Sequence, residues 1–546
     1  MGSGAAATVW RAIHLPTGRD AAVKILRSRE ADPAEFQREV RAVAALRHPA
    51  IVQVFDYGMV GAGQAPGFSE PGCHFLAMEY ARYGTLGASV GMDWQELRGV
   101  LVGILSGLAH AHARGVIHRD IKPANILLTD PEINGMRVRL TDFGIAHITA
   151  QDEAGADQFL GTARYSAPEQ FTAEWREHGP WTDLYAVGAL VWEAVCGAPP
   201  FEGSFVQLMH QHLVQQPGKF VPKIGVPDAL EGWLRKLLAK RIDSRFRLAA
   251  HARKVLLTMG AAPAGGPAIG AAFDEDAPTE LGDQPETPDS SGVLEIVGPD
   301  GAGLGLYSLR IPSFVGRPFE REQLRRDLVA VEEESLPRAV VLRGAAGVGK
   351  SRLARWFAER SHERGDAMNI VALHGPGSPR AAGLKQALAQ LVACQRLPLD
   401  RTTLRLSRVF GPDREEVVLD VADLLSAGEN GPQRATTPQL RHQAAIHLLR
   451  ATCDRLPLIL LLDDVHWDEE ALQFAAACMR APLGLRVLLI CTVQEEALAT
   501  RPGAQAALAE LLELDAVTES VIGALSPSVH RTFVEGLLEL DPLLVD

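Results

Sequence analysis

Cysteine is scarce in this sequence. Its six cysteines (Cys73, Cys196, Cys394, Cys453, Cys478 and Cys491) are scattered, and no two stand at CxxC spacing. That argues against a thiolate zinc knuckle or a disulfide framework; the expectation is reduced, buried thiols in a cytoplasmic protein. Long apolar runs are missing too. The longest, Leu456–Leu462, is strand-sized, well short of the roughly 18 residues that a membrane-crossing helix needs, so no membrane segment is expected. The first residues carry neither a basic nor an apolar stretch, and no secretory leader is expected. Nor is there a cationic excess. Lys and Arg number 54 against 67 Asp and Glu, a net charge of -13, which disfavours nucleic acid or anionic lipid held by bulk charge.

What is present is length and alternation. At about 100–200 residues per domain, several domains are expected from 546 residues with 47% hydrophobic and 22% charged positions. Residues 1–258 alternate β-type runs with helical patterns. Residues 259–312 are rich in Gly, Ala, Pro, Asp and Glu, too poor in apolar surface to offset ordering entropy, and read as a flexible linker. From 313 to 546, strand and helix patterns alternate again, as in an α/β domain with a parallel sheet.

In the first zone, Gly2-Ser3-Gly4 opens a small-residue stretch running to Val9, of the kind whose backbone approaches phosphate closely. Lys24 sits in the apolar run Ala21–Ile25, and Glu39 follows on a helix whose start carries Asp32, Pro33 and Glu35 at cap positions. The decisive stretch is His118-Arg119-Asp120-Ile121-Lys122-Pro123-Ala124-Asn125, with Asp142-Phe143-Gly144 behind the strand Val138–Leu140. Its six specified positions would coincide by chance on the order of 10⁻⁵ times in such a chain. Asp120 is placed to accept a proton from an incoming hydroxyl. Asn125 and Asp142 offer the oxygen ligands that Mg²⁺ prefers.

These residues resemble the Hanks-type (eukaryotic-like) serine/threonine protein kinases over about 1–258. The resemblance implies a bilobal α+β fold that binds ATP and Mg²⁺. It implies that Gly2, Gly4 and Val9 cover the nucleotide and that Lys24 holds its phosphates and pairs with Glu39. Met78, Glu79 and Tyr80 match the gatekeeper and hinge at the adenine. Asp120 matches the catalytic base, Lys122 the lysine near the γ-phosphate, and Asn125 and Asp142 the metal ligands. Thr162 implies Ser/Thr acceptors on a protein substrate; Glu169 is implied to pair with Arg245, and Asp183 to brace the catalytic loop. There are departures. Ala7 stands for the third loop glycine, and the strand that should lead into the loop is expected to be missing, since Met1 directly precedes Gly2. Residues 150–161 hold no Ser or Thr, so either Asp152, Glu153 or Asp157 supplies a fixed negative charge to Arg119, or the segment is a disordered acidic loop.

In the second zone the apolar strand Arg338–Arg343 feeds Gly344-Ala345-Ala346-Gly347-Val348-Gly349-Lys350-Ser351, a G-x-x-x-x-G-K-S loop. Loop amides and the helix start cradle phosphates, Lys350 neutralises them and Ser351 ligates Mg²⁺. The run Leu458–Leu462 ends in Asp463, a candidate Mg²⁺ ligand, and Asp464, a possible water-activating base. With Phe314-Val315-Gly316-Arg317 and Val465-His466-Trp467, this part resembles AAA/STAND-type ATPase domains. That resemblance implies Val315 at the adenine end, a polar sensor ending the strand Arg486–Val493, slow hydrolysis because Gln494 fills an arginine-like position, and a lid cut short at 546. The whole is expected to be multidomain: a bilobal α+β kinase fold, a linker, and an α/β P-loop NTPase domain with a parallel sheet. Two functions fit. One is a bacterial Ser/Thr kinase with a regulatory ATPase module that binds protein partners; the other is a catalytically weak kinase-fold scaffold whose ATPase acts as an assembly switch.

Overall fold

The computed structural model describes residues 2–3, 7–14, 19–26, 40, 42–60, 73–88, 92–129, 138–143, 163–172, 175–260, 314–377, 382–426, 437–481 and 484–538. Gly4, Glu39, Thr162, the acidic residues of 150–161 and the linker beyond Gly260 lie outside them. The chain separates into two compact units, Met1–Ile311 and Pro312–Asp546.

In the first unit, β1 (Gly2–Ser3), β2 (Ala7–His14), β3 (Arg19–Leu26), β4 (Val54–Met59) and β5 (His74–Glu79) form one sheet in the order β1-β2-β3-β5-β4. All its pairings are antiparallel. At the edge of the sheet, Gly2 pairs with Val9 and Ser3 with Thr8. Two residues are too few to show a period of 2, which is why the sequence pattern does not reveal this strand. On β3 the pleat sends Val23 and Ile25 to one face, where they pack with Phe75. Ala22 faces the other way, into the core with Leu76 and Met78, and Lys24 shares that face by the same alternation.

Below the sheet lie α1 (Trp94–Ala113), the strand pair β6 (Ile126–Leu128) and β7 (Val138–Leu140), and α2 (Pro180–Cys196), α3 (Phe205–Val214), α4 (Ala229–Leu237) and α5 (Ala249–Thr258). Helix α1 is apolar on nearly every side, and Leu101, Ile104, Leu105 and Leu108 are fully buried. Its start is fixed by a reciprocal cap: Asp93 accepts from Glu96 N at 2.9 Å, and Glu96 accepts from Asp93 N at 3.2 Å. Asp93→Ala is expected to destabilise this unit by about 1 kcal/mol, read as lower hydrogen-exchange protection of the α1 amides; undiminished protection there would contradict it.

The second unit is built on β8 (Arg338–Gly344), β9 (Met368–Leu373), β10 (Leu458–Asp463), β11 (Val487–Gln494) and β12 (Val517–Val521), all parallel, in the order β12-β8-β11-β10-β9. Alternate residues of the central strands face opposite cores. Val341, Leu460 and Leu489 point to one; Val340, Leu461 and Leu488 point to the other. The second core is closed by α6 (Pro318–Glu334) and α7 (Lys350–Arg364), through Leu324, Leu328, Leu353 and Phe357. The first is closed by the helices inserted between β9 and β10 and by those that follow β10 and β11. Continuous apolar strands such as Leu458–Leu462 are therefore legible as double-sided burial. Because β8 has β11 on one side and β12 on the other, the loop after it opens at a crevice between strand ends, where such sheets bind ligands.

Candidate functional site

In the first unit a buried carboxylate organises the loop that follows α1. Asp183 Oδ2 accepts from the backbone N–H of His118 at 2.8 Å and from His112 Nε2 at 2.8 Å, and Oδ1 accepts from Arg119 N at 2.7 Å. Burial works to raise the Asp183 pKa, but the His112 hydrogen bond and the neighbouring imidazoles and amides hold it below the ordinary value. His118 is fully buried, which lowers its pKa despite the nearby acids. Its tautomer follows from its neighbours: Asp120 N can only donate to Nδ1 (3.3 Å), so Nε2–H donates to the Thr141 carbonyl (2.8 Å). Two non-glycine residues of this region, Arg119 (φ 67°) and Asp142 (φ 62°), hold left-handed backbone conformations. Such strain persists only where surrounding contacts enforce it, as Asp183 and Gln170, which donates to the Arg119 carbonyl at 2.8 Å, do here.

Asp120, Lys122, Asn125, Lys24 and Asp142 are brought together. Asp120 Oδ2 accepts from Asn125 Nδ2 at 2.9 Å and lies 3.1 Å from Lys122 Nζ, while Oδ1 is buried without a hydrogen-bond partner among the described residues. Lys24 Nζ pairs with Asp142 Oδ2 at 2.9 Å. Burial favours the neutral form of Asp142, but Lys24, and after it Lys122, outweigh that and hold its pKa below the ordinary value, so it is anionic near neutral pH. Val9 stands opposite Lys24 in the sheet. Met78 packs in the core against Thr141, whose hydroxyl lies 3.7 Å from its sulfur. Glu79 receives Arg139 at 3.0 Å, and the ring of Tyr80 lies under Arg11 at 5.1 Å. Gly2 sits on strand β1 rather than at the loop apex.

The donor set suits magnesium. Asp142 and Asn125 present hard oxygens, and no group of three or more His, Cys, Asp or Glu among the described residues could hold a metal unaided. A Mg²⁺ ion here would complete its shell with nucleotide phosphates, its usual habit.

In the second unit the loop after β8 turns through Gly344, where a Cβ would collide with the Ile522 carbonyl, and Gly349 (φ 96°), which caps α7. Lys350 is buried and donates to the carbonyls of Gly344 (3.0 Å) and Ala345 (2.6 Å). Desolvation lowers its pKa against the pull of nearby acids, Asp464 first. Ser351 lies in the first turn of α7. Val315 is half-buried in the segment that Arg317 ties to the loop, through hydrogen bonds to the Val348 (3.0 Å) and Gly523 (2.5 Å) carbonyls. At the end of β10, Asp463 is buried and Asp464 has its pKa raised, by desolvation first and then by Asp463.

Two domain families match the chain. The protein kinase domain matches residues 1–254, and the AAA ATPase domain matches residues 313–490. The chain joins a protein kinase domain to an AAA ATPase domain. Among curated relatives, it is similar to the probable serine/threonine-protein kinase PknB of Bifidobacterium longum, 32% identical over 50% of this chain and 40% of the relative. It is similar to the serine/threonine-protein kinase pkn3 of Myxococcus xanthus, 34% identical over 45% of this chain and 46% of that one. PknB of Mycolicibacterium smegmatis is 33% identical over 61% of this chain and 51% of its own length. The chain thus spans about half the length of the curated relatives it matches, or less.

Residues outside the contiguous motifs complete both domains. In the kinase domain Arg139 reaches Glu79 and the Ile51 carbonyl (3.1 Å) from beneath the sheet. In the AAA ATPase domain Thr492, a fully buried hydroxyl near the end of β11, donates to Asp463 Oδ1 at 2.8 Å and accepts from Asp464 N at 2.7 Å. Thr492 stands toward the end of the strand where the AAA/STAND resemblance implies a polar sensor. Arg355 and His374 also reach Asp463, and neither belongs to a motif. Among the described residues no helix is long and apolar enough to cross a membrane.

Proposed function

We propose that this chain is an ATP- and Mg²⁺-dependent protein serine/threonine kinase of bacterial signalling, working in the cytoplasm, whose AAA ATPase module binds nucleotide and regulates it through protein partners. The observation that carries the reading is the cluster of Asp120, Lys122, Asn125, Lys24 and Asp142, in which one carboxylate oxygen, Asp120 Oδ1, is buried and has no hydrogen-bond partner among the described residues. In the proposed reaction Asp120 orients a substrate hydroxyl and takes its proton. Lys24 neutralises nucleotide phosphates, and Lys122 offsets charge on the group in transfer. Asn125 and Asp142 would hold the magnesium ion, whose chemistry is to bridge and neutralise phosphate oxygens. The Ser/Thr preference rests on the kinase relatives.

The test uses the full chain, labelled ATP and a Ser/Thr-rich protein. Transfer that survives chelation of divalent metal would remove the kinase half of the reading, and so would no transfer at all, which would favour a scaffold. The regulatory half expects Lys350→Ala to change kcat/KM for the protein substrate about fivefold or more, the lower range of allosteric coupling. An unchanged value would remove that half alone.

A further inference from the structure

Asp463 is held from three elements, and one of the three holders differs from the others. Its carbonyl accepts from His374 N (3.1 Å) and His374 Nδ1 (3.0 Å), at the end of β9. Its Oδ1 accepts from the buried Thr492 hydroxyl of β11 at 2.8 Å. Its Oδ2 takes a charge-assisted hydrogen bond from Arg355 Nη2 of α7, at 2.7 Å. Thr492 is fully enclosed and the His374 side chain is only 2% exposed, but the Arg355 side chain is 46% exposed. A cation that takes Oδ2 must displace the guanidinium, and of these partners Arg355 has the freest path into water.

We propose that Arg355 is the built-in competitor of magnesium at Asp463, and that it sets the metal concentration at which the AAA ATPase domain takes up Mg²⁺ with nucleotide. The inference rests on the reading of this domain as a nucleotide-binding module. Asp463 closes the buried strand β10, its partner Thr492 stands in register with Leu342 at the end of β8, and Arg355 lies on the helix that opens with Lys350, so Oδ2 lies at the strand ends where the phosphate loop opens. A guanidinium on that oxygen cancels the charge that draws in a divalent ion. Its exposed stem makes the pair weak enough to be exchanged rather than permanent. The competition is specific to the metal: Arg355 contacts Asp463, and Lys350 alone of the two lies against the carbonyls of the phosphate loop.

The experiment measures binding of a fluorescent ATP analogue to the full chain while Mg²⁺ is titrated, and separately in EDTA. Subtracting the signal of Lys350→Ala isolates the second site. Arg355→Gln, a helix-compatible replacement, is expected to lower the half-saturating Mg²⁺ concentration about fivefold and to leave binding in EDTA unchanged. Arg355→Lys, which keeps the charge, is expected to stay within about twofold of the parent. Equal loss of binding with and without Mg²⁺ in Arg355→Gln would overturn the proposal by making Arg355 a phosphate ligand. An unchanged Mg²⁺ midpoint, with thermal unfolding unaltered, would overturn it by reducing the contact to a surface ion pair. Absence of any Lys350-dependent binding would instead remove the underlying nucleotide-module reading.

Discussion

Asp120→Asn is expected to lower kcat for phosphoryl transfer by about 10²–10⁴-fold, while KM for ATP moves little. The geometry makes this a clean substitution. The asparagine oxygen can take the place of Oδ2, accepting from Asn125 Nδ2 (2.9 Å) and standing beside Lys122 Nζ (3.1 Å), so the local hydrogen bonds survive. The amide nitrogen then falls where Oδ1 is now buried without a partner among the described residues. At that position a carboxylate oxygen accepts a proton and an amide can only donate. The loop's conformation should persist, because Asp183 holds it through the His118 and Arg119 amides rather than through Asp120. Steady-state kinetics and a thermal melt on the full chain decide the matter. Retention of more than a tenth of the parent kcat, with the melt unchanged, would mean that Asp120 is not the proton acceptor.

What the sequence makes legible is what lies close together along the chain. Asp120, Lys122 and Asn125 fall within one turn-rich segment, so their spacing alone nearly determines their juxtaposition. The same holds for Gly344 through Ser351, where strand, loop and helix start are consecutive. The alternation along β3 and β10 also reads directly as burial on two faces. Legibility fails where a contact is set by sheet register or helix packing. Thr492 meets Asp463 because β11 inserts between β8 and β10, an order that no local pattern encodes. Arg355 meets Asp463 across 108 residues because α7 crosses the end of β10. Arg139 looks like one charge in an apolar strand, yet it is buried and reaches the Glu79 side chain and the Ile51 carbonyl. The pairing of β1 with β2 escapes notice for the opposite reason, being too short to carry a pattern.

Arg245→Met is expected to destabilise the kinase domain by about 3–5 kcal/mol, although Arg245 lies outside the proposed catalytic cluster. Its guanidinium is saturated. Nη1 and Nη2 donate to Glu169 Oε1 (2.8 Å) and Oε2 (3.0 Å), and the remaining donors reach the carbonyls of Ala239 (2.7 Å), Trp181 (3.2 Å) and Lys240 (3.2 Å). Both partners are nearly inaccessible, at 3% and 4% exposure. Methionine fills much of the volume but leaves a buried carboxylate with the Thr182 hydroxyl, at 2.8 Å, as its one side-chain hydrogen-bond partner among the described residues, and takes a donor away from three carbonyls. The cost therefore comes from the orphaned groups rather than from the pair itself, and a second substitution separates the two. Adding Glu169→Leu to Arg245→Met removes the stranded charge and should recover part of the loss, whereas a pair that is stabilising in its own right would lose more. Because the chain holds two units, a single unfolding midpoint does not report on one of them. Hydrogen-exchange protection of the Tyr185–Val195 amides, in the helix beside this pair, isolates the response. Undiminished protection there in Arg245→Met would show that the Glu169–Arg245 contact does not hold the domain together.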